Sequence, residues 1–303
     1  MDRSRDRVSP LIPPSHTDAG LVDLHLHSIA SDGALPPEAV VHRAAAAGLA
    51  AIALTDHDTL DGLPAALQAG ARAGIRVVPG CEFSVAAPWG EMRLLGYFLP
   101  RGWQPLESFL ARCRADRERR GAEMVEKLRG LGLDLQFRDV LAEAKGGAVG
   151  RPHVARALVE RELVPGVQDA FYRYLGWGRP CFVEKRLPSF REVAGLVHQS
   201  GGVVSAAHLK ERGTRATLAA LKAEGLDAVE TRHPIHDADL RSRLTYHALA
   251  LGLLPTGGSD WHGDDPGLTP GARLGGQEVP AEWLEALEGA RPAGQEHEVP
   301  SVN

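Results

Sequence analysis

His25-x-His27 is the pair in this 303-residue chain best placed to hold a metal ion. In LVDLHLHSIASD, residues 21–32, Val22, Leu24 and Leu26 alternate with Asp23, His25 and His27. That is the period of a β-strand, and it turns both imidazoles to one side. Two imidazoles converging at a strand end suit one divalent ion. More candidates follow at the ends of later strand-like runs: Asp32, then His57 in TDHD, Glu82 in GCE, His208 in AAH, and Asp260 and His262 in GGSDWH. His153, in GRPH, sits where a helix begins. Any one of these has a plain reading as a loop residue or a helix cap; Asp58 or Asp61 could cap the next helix. The plain reading fails for the set of six histidines and three carboxylates.

Mixed imidazole and carboxylate sets suit Mn, Zn or Fe rather than Mg alone. Nine ligands are too many for one ion and suit two or three that share a bridging carboxylate. Sites of that kind hydrolyse phosphate esters, because bound ions lower the pKa of a water and hold phosphoryl oxygens. No side-chain nucleophile is then needed, and the chain has neither a GxSxG nor a P-loop.

The elements that must position these groups alternate. Strand-like runs cover 21–26, 50–54, 76–84, 92–98, 203–207, 227–231 and 254–257. Amphipathic helical stretches cover 37–47, 63–73, 189–200, 214–224 and 238–251, each followed by a glycine. This order predicts an α/β fold with a parallel sheet, open or closed into a barrel. In such folds functional groups gather at the C-terminal ends of the strands. Residues 101–188 break the rhythm and read as a mainly helical insertion. Its run of Arg112, Arg114, Arg117, Arg119, Arg120, Lys127 and Arg129 is interspersed with acids at helical spacing and predicts a solvated face. Residues 1–19 and 294–303 read as flexible tails around one domain, 20–293.

A net charge of −5 argues against bulk electrostatic binding of nucleic acid, although bound cations can reverse a local field. Three cysteines without a CxxC, and a polar start without an apolar stretch, predict a cytoplasmic protein. No run of about 18 apolar residues predicts a membrane span.

LVDLHLHSIASDG, ALTDHDTLDG, VVPGCEFS, GRPHVARAL, VVSAAHL and TGGSDWHG, in this order, resemble the motifs of the PHP (polymerase and histidinol phosphatase) superfamily over residues 21–265. With the insertion, the arrangement is most similar to the bacterial nucleoside 3′,5′-bisphosphate phosphatases, which also act as 5′→3′ exoribonucleases. The resemblance implies a distorted (β/α)7 barrel with two or three divalent ions, Mn first among them. It implies one ion held by His25, His27, Glu82 and Asp260. Glu82 would bridge to a second ion held by His153 and His208, and Asp32, His57 and His262 would hold a third. The implied reaction is attack of a metal-bound hydroxide on phosphorus, with Asp260 and His262 in the catalytic centre. The implied substrates are adenosine 3′,5′-bisphosphate (pAp), giving AMP, or short RNA taken from its 5′ end. The family usually has Ala-His-Pro where this chain has Ala207-His208-Leu209, which predicts a looser loop with the ligand kept.

Arg151 could fork onto a phosphate. His236 could touch a phosphate or protonate the leaving oxygen, and Glu230 and His233 lie on the same rim. Asp56 and Asp58 are expected to orient His57 and neighbouring ligands. Arg179 and Lys185 could meet a nucleotide. Tyr172 and Trp177 could stack on a base but are expected to pack in the core, and His42, His198 and His247 read as structural. The competing functions are a phosphatase for another small monoester such as histidinol phosphate, a non-catalytic metal-binding scaffold, and an amidohydrolase. No membrane and no obligate protein partner are expected.

Overall fold

Strand β1, Leu21–Leu26, is buried from Val22 onward on both faces. The computed structural model describes residues 20–264 and 271–292, so both expected tails lie outside the described residues. After β1 come α1 (Pro37–Ala46), β2 (Ala51–Leu54), α2 (Leu63–Ala73), β3 (Arg76–Ala87) and β4 (Gly90–Tyr97). The insertion carries α3 (Gln104–Gly130), α4 (Phe137–Ala144), α5 (Arg151–Glu160) and α6 (Val167–Ala170), which runs into a π-helical turn, Phe171–Leu175. The main fold resumes with α7 (Phe190–Gln199), β5 (Val203–Ala206), α8 (Arg215–Ala223), β6 (Ala228–Arg232), α9 (Ala238–Ala250) and β7 (Leu254–Gly257). A short β8 (Val279–Pro280) and α10 (Ala281–Gly289) follow; the sequence pattern gave no sign of either.

The strand order is β7-β6-β5-β4-β3-β2-β1-β8. Contrary to the expected parallel sheet, β4 runs antiparallel to both β3 and β5, and β8 antiparallel to β1. The physical reason is the short turn after Ala87, which makes β3 and β4 a hairpin, whereas a parallel pair needs a long crossover. The sheet curls into a nearly closed barrel of eight strands, with the (β/α) rhythm kept on either side of the hairpin. Its seam is drawn together where His27 N–H donates to the Trp261 carbonyl at 3.1 Å and Leu26 bridges Trp261.

Alternate residues of β2 enter different cores. Ile52 and Leu54 pack with Val40, Val41, Leu63 and Phe83 against the surrounding helices. Ala51 and Ala53 join Val22, Leu24, Leu95 and Tyr97, with Leu284 and Leu287 of α10 in the same cluster. The insertion buries its own core around Met124, Leu128, Leu135, Leu158 and Leu175. The basic face of α3 is only partly solvated. Arg119 pairs outward with Asp116 and Glu123, but Arg117 and Arg120 are buried. Arg117 turns inward because Asp58 gives it a carboxylate at 2.6 Å, and Arg120 because the Val183 carbonyl accepts from it. Among the described residues, no helix is long and apolar enough to cross a membrane.

Gly258 lies at the seam, where a Cβ would stand 2.4 Å from the His25 Cβ and 2.5 Å from its backbone nitrogen. Backbone cannot yield cheaply, so Gly258→Ala is expected to destabilise the fold by about 2 kcal/mol or more. Urea unfolding checks this: an unchanged midpoint would mean that the seam is looser than described.

Candidate metal centre

The site is built at the ends of strands. His25 comes from β1, His27 from the first position after it, Glu82 from within β3, and Asp260 from the turn after β7. His25 Nε2 stands 3.4 Å from Glu82 Oε2 and 3.3 Å from Asp260 Oδ1. His27 Nε2 stands 3.3 Å from each of the same two oxygens. Donors bound to one ion at about 2.0–2.2 Å stand roughly 3.0–3.6 Å apart, so these four match a single coordination sphere. A second group, His27, Asp32, His57 and His262, shares His27 with the first. There Asp32 Oδ1 lies 3.3 Å from His262 Nε2 and 3.7 Å from His57 Nε2. The His27 and His262 rings stack at 4.1 Å.

Three atoms test whether ions fit here. His25 Nε2, His27 Nε2 and Asp32 Oδ1 are buried and make no hydrogen bond. Buried polar atoms are almost always paired, so orphans converging on a cage of imidazoles and carboxylates are what a divalent ion would satisfy. The donor set fits.

Backbone strain aims the ligands. Asp260, His208 and Asp58 all have left-handed φ angles, of 51°, 32° and 53°. Such conformations cost about 1–3 kcal/mol each and persist only where the surroundings enforce them. Carboxylates one layer back do the enforcing. Asp56 accepts from Ser28 N–H at 2.7 Å and from the Ser28 and Ser31 hydroxyls, fixing the loop after β1. Asp23 accepts from Ser259 N–H and Gly275 N–H, both at 2.9 Å, fixing the loop after β7. Asp56 therefore orients the His27 loop rather than His57, and Asp58 holds the insertion through Arg117.

Electrostatics follow the geometry. Burial would push Glu82 and Asp260 upward, but the surrounding imidazoles overcome it and hold both well below the usual carboxylate range. Burial also opposes charge on His27, yet the facing Asp260 and Glu82 carboxylates raise it to about 9. Burial pushes His57 down to about 4, so its ring is neutral near neutral pH.

The remaining candidates divide. His208 Nε2 reaches Glu82 Oε1 at 3.1 Å but joins none of the ligand clusters among the described residues. His153 is not beside it. Its Nδ1 accepts from Gly150 N–H at 2.9 Å, capping α5. His153 joins none of the ligand clusters among the described residues, and its Nδ1 is spent on the cap. His236 is likewise engaged, by the Thr231 carbonyl at 3.1 Å and Lys210 N–H at 3.3 Å, which leaves no open nitrogen for a leaving group. Arg151 lies over the Phe171 and Phe182 rings and lines a cleft of about 290 Å³ with Arg93, Arg212, Trp89 and His208. Leu209 is 4% exposed and packs in the core with φ −60°, so the loop is anchored by burial rather than loosened by the missing proline. Tyr172 and Trp177 are 71% and 77% exposed rather than packed in the core. His198 is structural, at 2.7 Å from Asp227.

Sequence reasoning underrated Glu230 and missed Arg93. Glu230 Oε1 lies 2.9 Å from His25 Nδ1, and its other oxygen accepts from His208 N–H at 2.8 Å. The first contact turns His25 Nε2 toward the cage. Only its position in the 227–231 strand could have signalled this. Glu230→Gln is expected to weaken metal binding about 10- to 100-fold, measured by calorimetry with Mn. The raised His27 gives a second expectation. Below about 9 a proton competes with an ion for His27, so binding at neutral pH must release protons. Apparent affinity then climbs with pH up to that value and levels beyond it. Titration in buffers of different ionisation enthalpy reads the proton count, and a count of zero at pH 7 would refute this.

Comparison with known proteins agrees with the geometry. A family model described as the PHP domain matches residues 23–249. A "5′-3′ exoribonuclease Rnm" of Salmonella typhimurium is 30% identical over 292 residues, covering 94% of this chain and 96% of that protein. A "3′,5′-nucleoside bisphosphate phosphatase" of Chromobacterium violaceum is 32% identical over 254 residues, covering 81% and 88%. A solved structure from Bifidobacterium adolescentis superposes with a TM-score of 0.81 at 32% identity, over 88% of this chain and 94% of that one. The chain belongs to the PHP domain family of metal-dependent phosphoesterases.

Proposed function

We propose that this protein removes the 3′-phosphate from nucleoside 3′,5′-bisphosphates, with short 5′-phosphorylated RNA as its second substrate class. The observation that carries the reading is a cage of orphaned ligand atoms beside a cleft lined by arginines. His25, His27, Glu82 and Asp260 would hold one ion, and Asp32, His57 and His262 another. Such ions supply a water made acidic enough to attack at neutral pH and positive charge for phosphoryl oxygens.

The chain's own residues supply the rest. Glu230 orients His25, and Asp56 and Asp23 hold the loops that carry His27 and Asp260. Arg151 and Arg93 face the cleft with fixed guanidinium charges, which suit a second phosphate on the same substrate. Trp89, in the same cleft, offers a flat apolar face for a base. A substrate with two phosphates on one nucleoside places one at the cage and the other among the arginines. The names of the Salmonella typhimurium and Chromobacterium violaceum relatives favour the same two substrate classes. The cleft gives histidinol phosphate, which has one phosphate, no use for its second cationic patch.

Phosphate release from pAp by Mn-loaded protein tests the proposal, with short 5′-phosphorylated RNA in parallel. Turnover of pAp is expected, and Asp260→Ala is expected to reduce it by about 10²-fold or more, the scale set by removing a group that stabilises transition-state charge. Rapid turnover of histidinol phosphate without turnover of either nucleotide substrate would overturn it.

A further inference from the structure

The full ligand set suggests a third ion between Glu82 and His208, but the structure fills that side of Glu82 differently. The β3–β4 register pairs Glu82 with Leu95 and Ser84 with Arg93. Arg93 is therefore the diagonal neighbour of Glu82 on the same sheet face, within reach of a long side chain. Its Nη1 lies 2.9 Å from Ser84 Oγ and 3.1 Å from His57 Nδ1. That same His57 nitrogen is 3.0 Å from Glu82 Oε2. Lys185 adds a second cationic group, with Nζ 3.0 Å from Ser84 Oγ and a pairing to Glu91.

An ion beside Glu82 and His208 would find two protein donors, because among the described residues His153 shares no ligand cluster with them and its Nδ1 is spent on Gly150 N–H. It would also meet a guanidinium that cannot give up its proton. The third cluster, His25, Glu230 and His233, does not replace it. The His25 Nδ1 that would serve an ion there is occupied by Glu230, while Nε2 faces the cage.

We propose that Arg93 stands in for an ion on the Glu82–His208 side, so that this chain holds ions only in the two clusters that share His27. His208 then serves as a hydrogen-bond partner of Glu82, and Arg93 presents its fork to phosphoryl oxygens from the place an ion would take. The inference rests on the metal-dependent reading above and specifies its centre.

Metal content of the folded protein tests it without any assay of activity. The full-length chain is saturated with Mn, freed of excess by gel filtration and measured by plasma mass spectrometry. A content of about two ions per chain is expected. His208→Ala should leave it unchanged. Arg93→His, which exchanges the cation for a donor next to Glu82 and His208, should add about one ion, and adding His208→Ala to that variant should remove the gain. Loss of an ion from the single His208→Ala variant would overturn the inference. So would an Arg93→His protein that melts like the wild type yet gains no ion. A wild-type chain that retains no Mn at all would instead overturn the metal-dependent reading on which the inference rests.

Discussion

Three carboxylates packed inside a barrel mouth must be compensated, and the site is arranged around that requirement. Glu82 and Asp32 are 1% and 8% exposed, and Asp260 opens only slightly more. Removing such charges from water costs several kcal/mol each unless partners repay it. The repayment comes from imidazoles: His25, His27 and His57 face Glu82, and His57 and His262 face Asp32. A divalent ion repays the same debt more fully, which couples metal binding to the stability of the strand ends.

The same constraint explains why the surrounding loops are rigid. A ligand cage tolerates little error, yet five of its residues sit on or beside turns. Asp56 and Asp23 remove that freedom by accepting backbone N–H groups from the loops after β1 and β7. The left-handed backbones at Asp260 and His208 are held in the same way, by contacts rather than by glycine. Leu209 continues the pattern, since burying a leucine fixes the turn that a proline ring would have fixed.

The insertion is part of this arrangement rather than an appendage. Its α3 sends Arg117 to Asp58, directly after His57, and its α5 begins at the Arg151 that lines the cleft. Together with Arg93 and Lys185, these cations border the acidic cage. The protein's net charge is negative, but the surface next to the cage is positive, as a centre for anionic substrates requires.

Much of this was legible in the chain. The two-residue spacing of His25 and His27 fixed their common face, and the helix periods with their terminal glycines marked most of the outer layer. The recurrence of His, Asp and Glu after successive strand-like runs located the cage, because strand ends in α/β folds face one rim. What stayed hidden depends on partners far away in sequence. The antiparallel course of β4 follows from a hairpin that periodicity alone does not orient. Glu230 lies 205 residues from His25, and only the closed barrel brings them to 2.9 Å. His153 reads as a ligand in its motif, and only the fold shows that its Nδ1 caps its own helix. Arg93 looked like a strand arginine until the register set it beside Glu82. The sequence determined which atoms could bind a metal, since donor chemistry belongs to the residue. The tertiary structure decided which of them are free to do so, since hydrogen bonds and neighbouring charges exist only once the chain has folded.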